Sequence, residues 1–231
     1  MHDPDHRPFR RFFVLALSAL ATLSSTSPAL AAAADDLHAL FDREWDRRMA
    51  DHPTWASTLG DKRFNRAWPD LSPAALAAQH AADRAWLEQL RAIPRAQLSP
   101  SDQLNYDLFE TEIEDRLSAA RFKPWVYAVN MSDGIQAADQ LLERLQFGAP
   151  SDWDDWLARL QSFGTYMDQT IALLEEGARE GRTQPYAIMQ RVPDQVAKQL
   201  VDDPAQSRFY APFREMPTGI PAADQARLRQ A

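Results

Sequence analysis

The sequence contains no cysteine. That removes disulfide staples, thiolate nucleophiles, thiolate zinc sites and lipid attachment at a lipobox cysteine. Histidine is sparse: His2, His6, His38, His52 and His80 are the five. The first two fall in a leader read below as removable, and the other three have no histidine three or four residues away, so no helix carries the H-E-x-x-H pair of a zincin. No serine sits in a G-x-S-x-G turn. Basic charge is also in deficit. The net charge is −8, and a leader carrying +1 (Arg7, Arg10 and Arg11 against Asp3 and Asp5) leaves −9 on the remainder. An acidic body without a basic stripe excludes nucleic acid and argues against an anionic membrane surface as partner. Stability must come from core burial, which about 200 residues can supply within one domain or a large piece of one.

One long apolar run is present. Arg7 to Arg11 is basic, Phe12 to Leu23 is uncharged and mostly apolar, and Ser24 to Pro28 is small and polar before Ala29-Leu30-Ala31. This is the order of a secretory signal over residues 1–31, with the cut near Ala31 to Ala34. An uncleaved anchor would need about 20 predominantly apolar residues, more than this run provides. Arg10-Arg11-Phe12-Phe13 also fits a twin-arginine export signal, so two export routes stay open. The expected product is periplasmic or secreted, not a lipoprotein, and free of membrane once cut.

Seven glycines and 16 prolines, the latter at segment edges, punctuate a helical chain. The fold class expected is all-α, a multi-helix array over 35–231. Asp35 to Ala50 forms the first helix, with Leu37, Phe41, Trp45 and Met49 every four residues and Leu40 beside them. Pro53 to Leu59 is a short helix stopped by Gly60. Ser72-Pro73 and Ser99-Pro100 each read as an N-cap with proline at the first helical position, and Asp102 bonds back toward the second cap. The second of these helices runs to about Ala120 on Leu104, Leu108, Ile113 and Leu117. Pro124 to Met131 reads as an extended connector or short strand, and Asp133 starts a helix carrying Ile135, Leu141, Leu142 and Leu145. Ser151, with Asp154 three residues on, caps the longest helix, along Trp153, Trp156, Leu160, Phe163, Met167, Ile171 and Leu174 to about Gly177. Ile188, Val192, Val196 and Leu200 form a stripe bent at Pro193, Arg208 to Met216 is a loop, and Pro221 to Ala231 begins a helix without a stop signal.

No residue pattern assembles an active site, so no catalytic, cofactor-binding or metal residue is assigned. His80, between Leu76 and Asp83, reads as a packing or solvated histidine. Glu110 and Glu114 share a helix face, the arrangement of an acid/base pair or an ion site; the plainer account is a solvated face, with Glu112 reaching Arg116 one turn on. Nothing apolar flanks them to shift a pKa. Glu175, Glu176 and Glu180 read as surface. Trp45, Trp86, Trp153 and Trp156 fall on apolar helix faces and read as core, whereas Trp55, Trp68 and Trp125 lie near loops and are the candidates for a groove.

Four strings are more distinctive: Pro53-Thr54-Trp55-Ala56-Ser57-Thr58-Leu59-Gly60-Asp61; Asp102-Gln103-Leu104-Asn105-Tyr106-Asp107-Leu108; Glu180-Gly181-Arg182-Thr183-Gln184-Pro185, leading through Val192-Pro193 to Gln199-Leu200; and Phe209-Tyr210-Ala211-Pro212-Phe213. In this order the chain from about Leu37 onward resembles the N-terminal part of the bacterial domain-of-unknown-function 885 family. The resemblance implies a helical portion of a longer zinc metallopeptidase of the gluzincin type, walling one side of a peptide channel. The family's zinc motif lies in a C-terminal half with no matching position here, so zinc is implied for the full-length family only and no catalytic residue is carried over. The expectation is a truncated, exported member, inactive alone, whose partners are peptides or the missing half. The rival expectation is a complete, non-catalytic exported helical protein that binds a peptide or a protein partner.

Overall fold

Export readings apart, the helical reading can be tested on residues 28–230, which the computed structural model describes. Residues 1–27 of the expected leader lie outside them, and the expected cut near Ala31 to Ala34 falls in the opening turns of the first helix, where Ala33 is buried. Among the described residues there is no strand.

α1 (Pro28–Asp51), α3 (Pro73–Ala92) and α4 (Pro100–Ala120) form the N-terminal array, with α2 (Pro53–Thr58) bridging the first two. Pairings fix the directions. Arg91 meets Glu110 while Asp83 meets Arg116, so α3 and α4 are antiparallel. His38 meets Asp102 and Arg48 meets Glu112, so α1 runs with α4. The caps form as the sequence dictates: Ser72 Oγ accepts from the Ala75 amide and Ser99 Oγ from the Asp102 amide. Asp102 bonds back to the Ser99 hydroxyl at 2.7 Å and takes His38 Nε2 at 2.9 Å. Gly60 turns the chain after α2 at φ +85°. Leu37, Leu40, Leu90, Ile93, Leu98 and Tyr106 make the array's core, with Phe41, Trp86 and Phe109 packed on its edge.

The expected stripes hold at Leu37, Leu40 and Met49 of α1 and Ile113 of α4, all buried, and fail at three positions. On α1, Glu44 is buried and Trp45 is 46% exposed. On α4, Leu104 and Leu108 are 58% and 61% exposed, and Tyr106 and Ile113 are the buried positions. Glu44 continues the buried face of Leu37 and Leu40, where Arg116 meets it at 3.0 Å.

The second half is built on α5 (Pro150–Gln161) and α6 (Phe163–Arg179), followed by α7 (Tyr186–Met189), α8 (Val192–Ala197), α9 (Ala211–Arg214) and α10 (Ala222–Gln230). The expected longest helix is therefore two, broken at Ser162, and α1 is longer than either. After the break the buried face follows Thr170, Leu173 and Gly177, leaving Met167 and Ile171 exposed. Ser151 is not the cap. Ala149 occupies that position because Pro150 takes the first helical place, and Asp152 accepts from the Gly148 and Ala149 amides. Pro124–Tyr127 is a 3-10 turn, not a strand, entered through Lys123 at φ +48°. Ile135–Glu143 is also 3-10, starting two residues later than expected. The stripe on α8 is only half real, since Val196 and Leu200 are exposed. The segment read as a loop holds a 3-10 turn, Arg208–Tyr210, and α9.

The core of this half is aromatic: Trp68, Trp153, Trp156 and Phe213 are buried, with Ile220 and Leu228 from the last segment. Each indole N–H finds a backbone carbonyl, Trp68 on Arg159 at 2.9 Å, Trp153 on Pro212 at 2.8 Å and Trp156 on Phe209 at 2.9 Å. Burying about 200 Å² per indole contributes roughly 5 kcal/mol each. Trp68 is therefore core and not a groove residue; it stacks on Tyr166 with ring centroids 5.2 Å apart.

Candidate functional site

Burial of Glu44 brings charge to the inner seam of the array. A cavity of about 370 Å³ opens where α1, α3, α4 and the Pro124–Tyr127 turn meet. α1 and the residue after it supply Glu44, Asp51 and His52; α3 supplies His80, Asp83 and Trp86; α4 supplies Arg116; the turn supplies Trp125. The turn is held in place from outside by the Lys123 ammonium, which Glu176 (2.7 Å) and Glu180 clasp. It is also held by Gly177 of α6, whose missing side chain lets Val126 approach. Trp125 rests on His80 with ring centroids 4.9 Å apart.

Arg116 organises the charges. Its Nη1 donates to Glu44 at 3.0 Å and to Glu112 at 3.4 Å. Its Nη2 lies 3.0 Å from Asp83 Oδ1 but off the line a hydrogen bond needs, so this contact is an ion pair only. Arg116 Nε and Nη2 are sealed from solvent. Arg47 and Arg48 are occupied too, Arg47 by Asp51 at 2.8 Å and Arg48 by Glu112. Burial pushes the Asp83 carboxyl up, against the pull of Arg116, His80 and Arg48, and Asp51 adds to the rise. His52 keeps over a third of its surface in water, yet loss of solvent around the ring still lowers its pKa; Arg48 and Arg116 lower it further while Asp51 and Asp83 oppose. The site can accept hydrogen bonds and hold charge beside two indole faces. It presents no hydroxyl or thiol nucleophile.

Of the sequence candidates, Trp125 lines this cavity and Trp55 does not. Trp55 stands on the outer face, edge-on to Trp45 at 5.6 Å and under the Arg48 guanidinium. Beside it a more open groove of about 570 Å³ runs between α1 and α4 past Phe41, Trp45, Leu108 and Phe109. His80 packs as expected, but its packing partner is the cavity wall. Glu110 and Glu114 do share a face, and both clasp Arg91, Glu110 at 2.8 Å. They are a charge clamp between helices. The reading of the residues missed Glu44, Asp83 and Arg116. The available signal was the run His80, Asp83, Trp86, which places polar and aromatic groups at i, i+3 and i+6 along one side of a helix.

Among the described residues no three or more His, Asp or Glu side chains come together around one ion position, although His52, His80, Asp51 and Asp83 all reach this cavity.

Fold and site together define an all-α helical module that carries a cleft lined by aromatic, aliphatic and charged side chains. The chain belongs to the bacterial proteins of unknown function DUF885, whose family model matches residues 53–231. No curated protein matches the chain. The matched span takes in α2 to α10 and leaves α1 before it, so one wall of the cleft lies outside the matched residues.

Proposed function

We propose that this chain is the helical, ligand-binding portion of an exported, zinc peptidase-like hydrolase, inactive alone, and that the cavity between α1, α3 and α4 holds part of a peptide. The observation that carries this is the convergence of Asp83, Glu44, Arg116, Trp86 and Trp125 on one concave space of about 370 Å³. Ligand sites commonly span about 300–1,000 Å³ with a few placed polar groups against apolar walls. The peptidase reading rests on the family resemblance, and its zinc chemistry belongs to a C-terminal half without a counterpart in these residues. Isothermal titration of the full chain with a panel of unmodified and end-blocked di- and tripeptides tests the binding claim. Saturable heat with some of them, reduced at least severalfold by Trp125→Ala, is expected. A flat titration across the panel overturns it.

Export is part of the same proposal. N-terminal sequencing of the periplasmic product is expected to begin within Ala32–Asp35, and an intact Met1 in that fraction would remove it. A second reading, a protein-binding surface, is favoured by the exposed Trp45, Trp55, Leu104 and Leu108 on the outer face of α1, α2 and α4. It predicts that charged substitutions at Leu104 and Leu108 abolish capture of a partner and leave peptide heat unchanged.

A further inference from the structure

The cavity's charges are not symmetrical in what a ligand can reach. Its basic groups are partly committed: Arg47 Nε is held by Asp51, Arg48 Nη1 by Glu112, and Arg116 Nη1 by Glu44 and Glu112, while the remaining donors of Arg47 and Arg48 stay part-exposed. The remaining Arg116 donors, Nε and Nη2, are sealed from solvent. An incoming carboxylate would find no open donor on Arg116 and would face Glu44, Asp51 and Asp83 around the cavity. Asp83 is the opposite case. It lines the cavity, its side chain is 17% exposed, and its one cationic partner meets it off the hydrogen-bonding line. No hydrogen bond reaches its carboxylate among the described residues. Among the lining residues Glu44, Asp51 and Asp83 balance Arg47, Arg48 and Arg116, and Glu112, outside the lining, takes up part of the charge of Arg48 and Arg116. Trp86 and Trp125 add aromatic surface, which attracts an organic cation as well as apolar atoms.

From this geometry we infer that the cleft recognises a primary ammonium carried on an apolar body, with Asp83 as the acceptor of the ammonium and Trp86 and Trp125 as the wall for the apolar part. The inference rests on the peptide-binding reading and sharpens it. A free peptide N-terminus and a lysine side chain offer the same ammonium, and the placement of the apolar body separates them.

The test is a calorimetric series on the full chain with four small probes. They are phenylalaninamide (α-ammonium beside a ring), N-acetyl-lysinamide (ε-ammonium), N-acetylphenylalaninamide (ring, neutral) and 3-phenylpropionate (ring, anionic). Phenylalaninamide is expected to bind about tenfold more tightly than its acetylated form, the worth of one charge-assisted hydrogen bond. A lysinamide preference instead would assign the ammonium to a side chain and still support Asp83 as acceptor. Asp83→Asn is expected to erase the discrimination while retaining weak binding of the ring. Because that change also removes an Arg116 partner, the unmutated series stands as the independent measurement. Equal affinity for the amine and its acetylated form, or tighter binding of phenylpropionate, overturns the inference and leaves peptide binding standing. No heat with any probe or with the peptide panel overturns both.

Discussion

The α1–α3–α4 array and the half built on α5 and α6 hold their buried arginines in different ways. In the array, charge is met by charge. Arg116 reaches Glu44, Asp83 and Glu112, Arg91 reaches Glu110 and Glu114, and Arg95 reaches Asp107, mostly with partners that keep some contact with water. In the second half the buried carboxylates Asp139 and Asp152 still meet Arg208 and Lys62, but one fully buried cation, Arg159, finds only neutral acceptors and only at Nη2, its Nε and Nη1 having none. Arg159 has no exposed surface and gives its Nη2 to Ser57 Oγ at 2.8 Å and the Phe64 carbonyl at 2.9 Å, beneath the Trp68 ring. Loss of solvent drives the Arg159 pKa down to about 10, with Asp155 opposing. Ion pairs at a half-wet seam can exchange partners when a ligand enters, because the alternatives are close in energy. A dry cation tied to backbone carbonyls cannot. The array is thus the adjustable wall of the cleft, and the second half is the frame that holds it.

Four measurements can break this contrast. The largest effect belongs to Arg159→Ala, which strips donors from Ser57 and Phe64 and leaves a void under Trp68. A loss of about 3–5 kcal/mol in urea unfolding is expected, with Arg159→Met recovering part of it; a loss below about 1 kcal/mol would mean that the frame is as tolerant as the array. Gly177→Ala comes next. A Cβ there would sit 2.6 Å from the Arg182 carbonyl and 3.2 Å from Val126. A cost of about 1–3 kcal/mol is expected, along with weakened peptide heat, because Val126 neighbours Trp125.

A smaller effect is expected from pH. The folded His52 pKa lies below its unfolded value of 6.5, so the unfolded chain binds more protons between the two. Stability attributable to His52 is therefore full above about pH 6.5 and is lost as pH falls through that window. Asp83 runs the other way, its raised folded pKa adding stability as pH falls below it. Urea midpoints of the wild type and His52→Gln should agree near pH 8 and diverge toward pH 5.5, with the wild type falling further; parallel curves would remove His52 from the network. The smallest effect belongs to Arg91→Ala, at an exposed clamp. Its urea midpoint should match the wild type in about 0.5 M salt, and any low-salt difference should vanish there. A persistent loss would show that array charges are as fixed as Arg159.

Local punctuation was legible in the sequence. Serine before proline marked the starts of α3 and α4, and Gly60 marked the end of α2, because a cap is a contract between neighbours. The same rule misplaced the start of α5, where the side-chain acceptor belongs to Asp152 and the cap position to an alanine. Helical period alone assigned Leu104, Leu108 and Trp45 to the core. All three are exposed, and what the buried faces meet instead is set by distant partners such as Glu44 and Arg116, 72 positions apart. The cleft was illegible for the same reason: Glu44, Asp83, Arg116 and Trp125 come from four elements. The strings that carry the family resemblance are largely architectural. Ser57 receives Arg159, the Arg182 amide closes onto the Gly177 carbonyl, and the Phe209 and Pro212 carbonyls receive two indoles.

Those indole anchors give the molecule two optical populations. Trp68, Trp153 and Trp156 are locked in dry surroundings and should emit toward the blue, indifferent to a soluble quencher until the frame melts. Trp45 and Trp55 on the outer face and Trp86 and Trp125 at the cleft remain within a quencher's reach. The protein therefore carries an internal reference beside its own sensor, and a difference spectrum with and without quencher separates an event in the cleft from an event in the core without any added label.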